Sequence, residues 1–344
     1  MQAKTQTTKS IWNGFLPVIV RVLNSYYIIK KVRQRMAKRF LNYEEQLEYL
    51  EEQKGLLIPN RKAALRTLER TSYFFVFGGY KHPFRNPSTG RYYDGVTFDE
   101  IIGLYDFDTK LRMLFLDYIL QIERHLKARY SHCFCEKYGN EQAAYLQTEH
   151  YNYNEQNRRM VDSLIRGFRN DVEKPSEYGY IRHSQEKYHN VPLWVLIHSF
   201  SMGTLAKLYQ VTQFSIQSKI SRKFDFVNER QLGQFLNTLN RFRNVCAHNE
   251  QLYAHQCDLD IPDMPVHNKL SIPKKGNQYV QGKHDLFSLL IICFYLLPHS
   301  DFRILAEDLE RLITDSLPDF PHLSRKRLLE EMGFPGNWYE FFTE

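Results

Sequence analysis

The chain has 344 residues, 43% of them hydrophobic and 15% aromatic, and carries 46 Lys and Arg against 39 Asp and Glu for a net charge of +7. Length and apolar content exclude a disordered chain and leave room for two domains. The mild basic excess favours an anionic partner, and five cysteines without framework spacing point to a reducing cytoplasm instead of a disulfide scaffold.

Residues 1–35 stand apart. Ile11 to Ile29 is apolar, but Asn13, Pro17, Arg21 and Asn24 interrupt it. No run of roughly 20 apolar residues survives, so no membrane span is expected. Met36-Ala37-Lys38 reads like a natural start. The preceding segment then reads as a dispensable tail, either an appended amphipathic helix or an over-extended reading frame.

Residues 36–95 form a small N-terminal unit. Tyr43, Leu47 and Leu50 share one helical face, and Gly55 ends that helix. Asn60 caps a second helix with Ala64, Leu65 and Leu68 apolar. Tyr73 to Tyr80, aromatic and closed by Gly78-Gly79, predicts a short strand or tight turn. Together these read as a winged-helix-like unit, and Arg85 to Gly95 is a loop.

Residues 96–344 form the larger helical part. Thr97 with Glu100 is a capping start. From Asp108 to Lys137 an apolar face carries Leu111, Phe115, Ile119, Ile122 and Leu126, with Glu123 at its edge. His132, Cys133 and Cys135 have the types of metal ligands, yet alternate residues on a helix point about 200° apart. Packing is expected there, and no metal or other cofactor. A polar insert near 140–190 interleaves Arg158, Arg159, Arg166, Arg169 and Lys174 with Tyr151, Tyr153, Tyr178 and Tyr180. Such a mixture suits RNA, through phosphate contacts and base stacking, but the reading preferred for these residues by themselves is a solvated helix and loop. Residues 258–285 read as a loop carrying Lys274-Lys275, and Asp285 to Leu297 as a core helix.

The chemistry concentrates at the end of one amphipathic helix. Leu232, Phe235, Leu236, Leu239, Phe242 and Cys246 make its buried stripe, and Arg243 projects into it. A buried arginine needs a partner or a cavity. His248 follows five residues later, with a ring that exchanges protons near neutral pH. Two readings stand. Arg243 pairs with a buried acid, Glu123 being the candidate, while His248 caps the helix. Alternatively Arg243 clamps a phosphate and His248 moves protons. Five residues on an unbroken helix point about 140° apart, so the second reading requires a helix break near Ala247 or a second copy.

Arg243-Asn244-Val245-Cys246-Ala247-His248 resembles the Arg, four-to-six residues, His signature of HEPN-domain ribonucleases. The longer string through Leu252 resembles the AbiD/AbiF branch of bacterial abortive-infection proteins. So do Tyr43-Glu44-Glu45-Gln46, Lys54-Gly55-Leu56-Leu57-Ile58, Ser72-Tyr73-Phe74 and Gly79-Tyr80-Lys81-His82-Pro83-Phe84-Arg85. Further matches are Leu104-Tyr105-Asp106-Phe107-Asp108 with Leu111-Arg112, Ile122-Glu123, Pro192-Leu193-Trp194, Gly203 to Tyr209, and Met332-Gly333-Phe334-Pro335 with Asn337-Trp338. His198 stands where the family commonly has glutamate, and Asn249 where a second histidine is common.

The resemblance implies a mainly α fold, a HEPN-like antiparallel helical bundle. It implies a metal-independent, toxin-like endoribonuclease of phage defence, in which the RNA 2′-hydroxyl attacks the adjacent phosphorus. Arg243, His248 and Asn244 would be catalytic, with Glu123 and Asn249 supporting. Arg158, Arg159, Arg166, Arg169, Lys274 and Lys275 are the candidate RNA contacts. The site would be completed by a homodimer, and a structured RNA is an expected partner. A non-catalytic RNA-binding scaffold is the alternative, and a DNA-binding regulator acting through the N-terminal helices is a third reading.

Overall fold

A computed structural model describes residues 40–174 and 178–343; the 1–35 segment lies outside them. Three helices open the described chain: α1 (Tyr43–Glu48), α2 (Arg61–Arg70) and α3 (Tyr73–Gly79). Asn42 and Glu45 form a capping box on α1, which runs on through a π turn, and Asn60 accepts from the Ala63 amide to start α2. The α3 segment corrects the predicted strand. Within it Tyr73 and Phe77 are i, i+4 neighbours with rings 5.0 Å apart, and Val76 and Phe77 are buried. Packing of one helical face thus overrides the β preference of an aromatic run. No strand longer than an isolated bridge occurs in residues 40–95, where the Arg85–Tyr92 bridge, with Asn86 to Arg91 and Tyr93 to Phe84 hydrogen bonds beside it, makes a short antiparallel hairpin.

The element that carries the rest is α4 (Phe98–Tyr138), 41 residues in one helix, or about 60 Å. Thr97 and Glu100 make the expected capping box at its start, and Gly139, at φ +85°, ends it. Between α4 and the signature helix lie α5 (Arg158–Glu173), α6 (Gly179–Tyr188), α7 (Leu193–Leu196), α8 (Met202–Val211) and α9 (Phe214–Ser221). Then follow α10 (Glu229–Ala247), α11 (Pro265–Lys269), α12 (Leu286–Leu296), α13 (His299–Ser316), α14 (Arg325–Met332) and α15 (Trp338–Thr343). Helices α7, α9, α10, α12 and α13 all pack on α4, and α8 lies along α10. The protein is a mainly α bundle.

Gly203 sets the spacing of α8 and α10, because a Cβ there would come within 3.1 Å of the Asn240 side-chain oxygen. A continuous core runs from Leu47 of α1 to Phe342 of α15. Helix α12 is buried on nearly every face, as its unbroken apolar run predicts. None of the described helices is long and apolar enough to cross a membrane.

Residues 258–285 hold more order than the predicted loop. Besides α11 they contain a two-residue antiparallel ladder, β1 (Lys274–Lys275) with β2 (Gln278–Tyr279), turned at Gly276 with φ +63°. Asp285 closes the region. Its carboxylate accepts from the Gly282 and Ser288 amides and starts α12, and burial pushes it up from the ordinary 3.8 to about 6.

Two predictions follow from this corner of the fold. Gly333 adopts φ +79°, and a Cβ there would lie 2.2 Å from Asp285 Cγ. Gly333→Ala is therefore expected to cost about 2–4 kcal/mol from left-handed strain and overpacking, read as a loss in thermal or denaturant stability. The folded state also holds the Asp285 proton more tightly than the unfolded chain does. Its contribution is full below about pH 4 and is lost as pH rises through about 6. The stability difference between wild type and Asp285→Asn should shift against wild type across that window, and a flat difference would contradict the assignment.

Candidate functional site

The signature helix α10 is fixed at both ends by local chemistry. Asn228 and Gln231 form a capping box at its start. At its end Asn249 sits at φ +59°, the Glu250 amide donates to the Val245 carbonyl at 3.1 Å, and the Asn249 amide to Cys246 at 3.5 Å. This is the hydrogen-bond pattern of a left-handed helix stop, and asparagine tolerates that conformation better than most residues. Asn249, expected to support catalysis, thus acts first as the residue that ends the helix after Ala247. The left-handed residue itself comes after His248, whose amide still donates to the Asn244 carbonyl at 2.9 Å. His248 therefore keeps its helical placement, about 140° round from Arg243, and the catalytic reading requires a second copy.

His248 occupies the cap position and is exposed. Arg243 and Asn244, one turn earlier, are half-buried. Among the described residues Arg243 makes no ion pair, and its Nε is buried without a hydrogen-bond partner. The neighbouring Arg241 takes the nearby acid instead, at 3.1 Å from Asp258. Glu123 is not joined to Arg243. It lies 2.7 Å from Lys127 on the next turn of α4, and the Lys127 amine also donates to the Phe200 carbonyl. The edge position of Glu123 explains this, since an i, i+4 lysine is its nearest cation. Cys246, inside the signature, is pushed up to about 12 by burial and stays a packing thiol.

The chain after His248 is held by a buried network that the helical periodicity already contained. Taking Asp108 as zero, Arg112 falls at about 40°, Phe115 at about −20° and Ile119 at about 20°. Acid and arginine therefore lie in the middle of the α4 apolar stripe. Both are buried, at 0% and 3% exposure, and sit 2.5 Å apart. Asp108 also accepts from the Tyr80 hydroxyl at 2.6 Å and from the amides of Leu252 and Tyr253 at 2.9 and 2.7 Å. Arg112 donates to the Glu250 carbonyl at 3.1 Å and to the Tyr80 and Thr109 hydroxyls. Gln251 reaches the Gly79 carbonyl at 2.9 Å, and Tyr80 stacks on Tyr253.

Electrostatics agree with this arrangement. Burial pushes the Asp108 carboxyl up, while Arg112, the Tyr80 hydroxyl and the two amides pull it down. Burial and Asp108 push the Tyr80 phenol up, so it remains a donor. His255, beside Phe242 at the edge of the same region, is pushed down by burial and stays neutral.

The predicted RNA contacts fall on two separate elements. Arg158, Arg159, Arg166 and Arg169 are all exposed on α5, within about 100° of helix circumference. None has an ion pair among the described residues, although Asp162 lies inside the same arc. Of the tyrosines expected beside them, Tyr153 and Tyr180 are exposed. Tyr151 is core, its hydroxyl donating to the Tyr145 carbonyl at 2.8 Å. Lys274 and Lys275 are exposed on β1, and Lys274 lies over the Tyr279 ring. His198 is exposed on a 3₁₀ turn after α7. Among the described residues no group of three His, Cys, Asp or Glu side chains is placed to hold a metal ion.

The sequence over much of this bundle is matched by a family model. That model, Abi-like protein, covers residues 66–254, more than half of the chain. The chain belongs to the Abi-like family. The matched span contains Tyr80, Asp108, Arg112, Arg243, His248 and Tyr253, so the network and the signature lie within it together. Comparison with curated proteins and with solved structures returned no match.

Asp108→Asn tests the network. It leaves Arg112 buried without its counter-charge, so a loss of about 3–5 kcal/mol is expected in denaturant unfolding. Faster hydrogen exchange at the Leu252 and Tyr253 amides should accompany it. A variant as stable as wild type would remove the network from any structural role.

Proposed function

We propose that the chain is a metal-independent endoribonuclease of an abortive-infection phage-defence system, of the HEPN type within the AbiD/AbiF branch. The observation that carries this reading is Arg243. It is half-buried, free of any acid among the described residues, and has an unsatisfied buried Nε, one turn before an exposed histidine. A guanidinium kept without an acid is available to an anion.

In the reaction the 2′-oxygen forms a bond to phosphorus and the bond to the 5′-oxygen breaks, leaving a 2′,3′-cyclic phosphate and a 5′-hydroxyl. His248 accepts the 2′-hydroxyl proton, and the His248 of a second copy protonates the leaving oxygen. Arg243 stabilises charge growing on the phosphoryl oxygens, and Asn244 orients one of them. The homodimer supplies the second histidine. DNA, lacking the 2′-hydroxyl, is not a substrate. The α5 arginines and the β1 lysines track the RNA backbone, and a structured RNA restrains the enzyme until it is triggered.

The α5 arginine face also supports a second reading, a scaffold that binds RNA without cutting it. Cleavage of labelled single-stranded RNA by purified protein in EDTA separates the two. Wild type should cut and leave cyclic ends, while His248→Ala and Arg243→Ala each lose activity by about 10²-fold or more but still bind RNA. Binding without cleavage by protein freed of co-purified RNA would assign the scaffold.

A further inference from the structure

A cavity lies at the other end of α10. The turn that leads into that helix contains Phe226 at φ +62°, 78% exposed. A large side chain in the left-handed region and in solvent is unfavourable on both counts, and such a residue points to a role at a site. Phe226 lines a cavity of about 580 Å³, within the range of small-molecule sites. Its walls come from α4, the turn before α10, α11, α12, the start of α13 and α15.

The lining combines aromatic faces with positive charge. Phe224, Phe226 and Phe294 meet Arg129, Lys223 and Lys269, and two histidines, His125 and His299, stand against one acid, Asp225. Among the described residues none of the three cations is ion-paired, and Arg129 lies 5.7 Å from the Phe224 ring centre. Unpaired cations and aromatic rings lining one cavity match a ligand with a planar aromatic part and an anionic part. The 19 residues of α10 separate this cavity from His248 by about 28 Å.

We propose that this cavity binds a mononucleotide, the base lying against Phe226 and Phe224 and the phosphate held by Arg129, Lys223 and Lys269. The site is distinct from the Arg243–His248 end of the helix and does not depend on that end being catalytic. The ligand is a free nucleotide or the phosphorylated 5′ end of an RNA strand, which share this chemistry.

Calorimetry on the full chain with 5′-AMP and 5′-GMP, and with adenosine and inorganic phosphate as probes of each half, tests the site. Saturable binding of at least one monophosphate is expected, weakened about tenfold or more by Phe226→Ala and by Lys223→Ala/Lys269→Ala together. Adenosine and phosphate should each bind more weakly than the monophosphate. The substituted side chains are exposed, so thermal melts should stay unchanged. Arg243→Ala/His248→Ala should bind like wild type. A 5′-phosphorylated hexanucleotide that displaces the monophosphate identifies the RNA end as the source, and one that does not identifies the free nucleotide. No saturable binding, or binding lost in Arg243→Ala/His248→Ala and kept in the cavity variants, would overturn the proposal.

Discussion

The buried pair Asp108–Arg112 is the constraint on which the site depends. A carboxylate and a guanidinium out of water are tolerated only when each lone pair and each donor is used. Here the partners come from three distant parts of the chain: Tyr80 after α3, the α4 helix itself, and Glu250 to Tyr253 beyond the signature. Satisfying the charges therefore brings the N-terminal unit, the long helix and the end of α10 together. A hydrophobic contact of similar area would be non-directional, whereas this network admits only one register of the 250–253 segment on α4.

The two opening helices, the long α4, the signature helix α10 and the core helix α12 were legible from periodicity and caps. Asn60 and Thr97, legible as caps, do start their helices through their side chains, as do Asn42, Asn228 and Asp285, whose capping role the sequence reading missed. The aromatic run at Tyr73 was misread because β preference in such residues reflects packing surroundings that a short window does not contain. The end of α10 was legible in part. Its arginine and histidine stand out by type, but the turn made by Asn249 depends on backbone angles that residue type only biases. Glu123 went to Lys127 because a local i, i+4 partner was closer than any tertiary one. Asp108 and Arg112 were visible in principle, as charges at the centre of an apolar stripe, yet no sequence pattern names the amides that Asp108 holds or the carbonyl that Arg112 reaches.

The two ends of α10 differ in kind. At one end lies a cavity walled by several helices, with cations around an exposed phenylalanine. At the other lies an open helix terminus with a histidine in solvent and an unpaired arginine behind it. One rigid helix, packed along α4 and α8, joins them. A shift of that helix along its axis would be felt at both ends at once, and the pinned 250–253 segment resists it from one side only.

The stop after Ala247 has a further consequence for charge. Aligned peptide dipoles leave about half a negative charge at the carboxyl end of a helix, the opposite of the anion-friendly amino end. Arg243 and His248 stand at that negative end, and the backbone there offers carbonyls, not amides. A phosphate approaching them meets a repulsive backbone and an attractive guanidinium. An anion bound at this terminus would be held by side chains alone, and an arginine free of nearby carboxylates is what such binding requires.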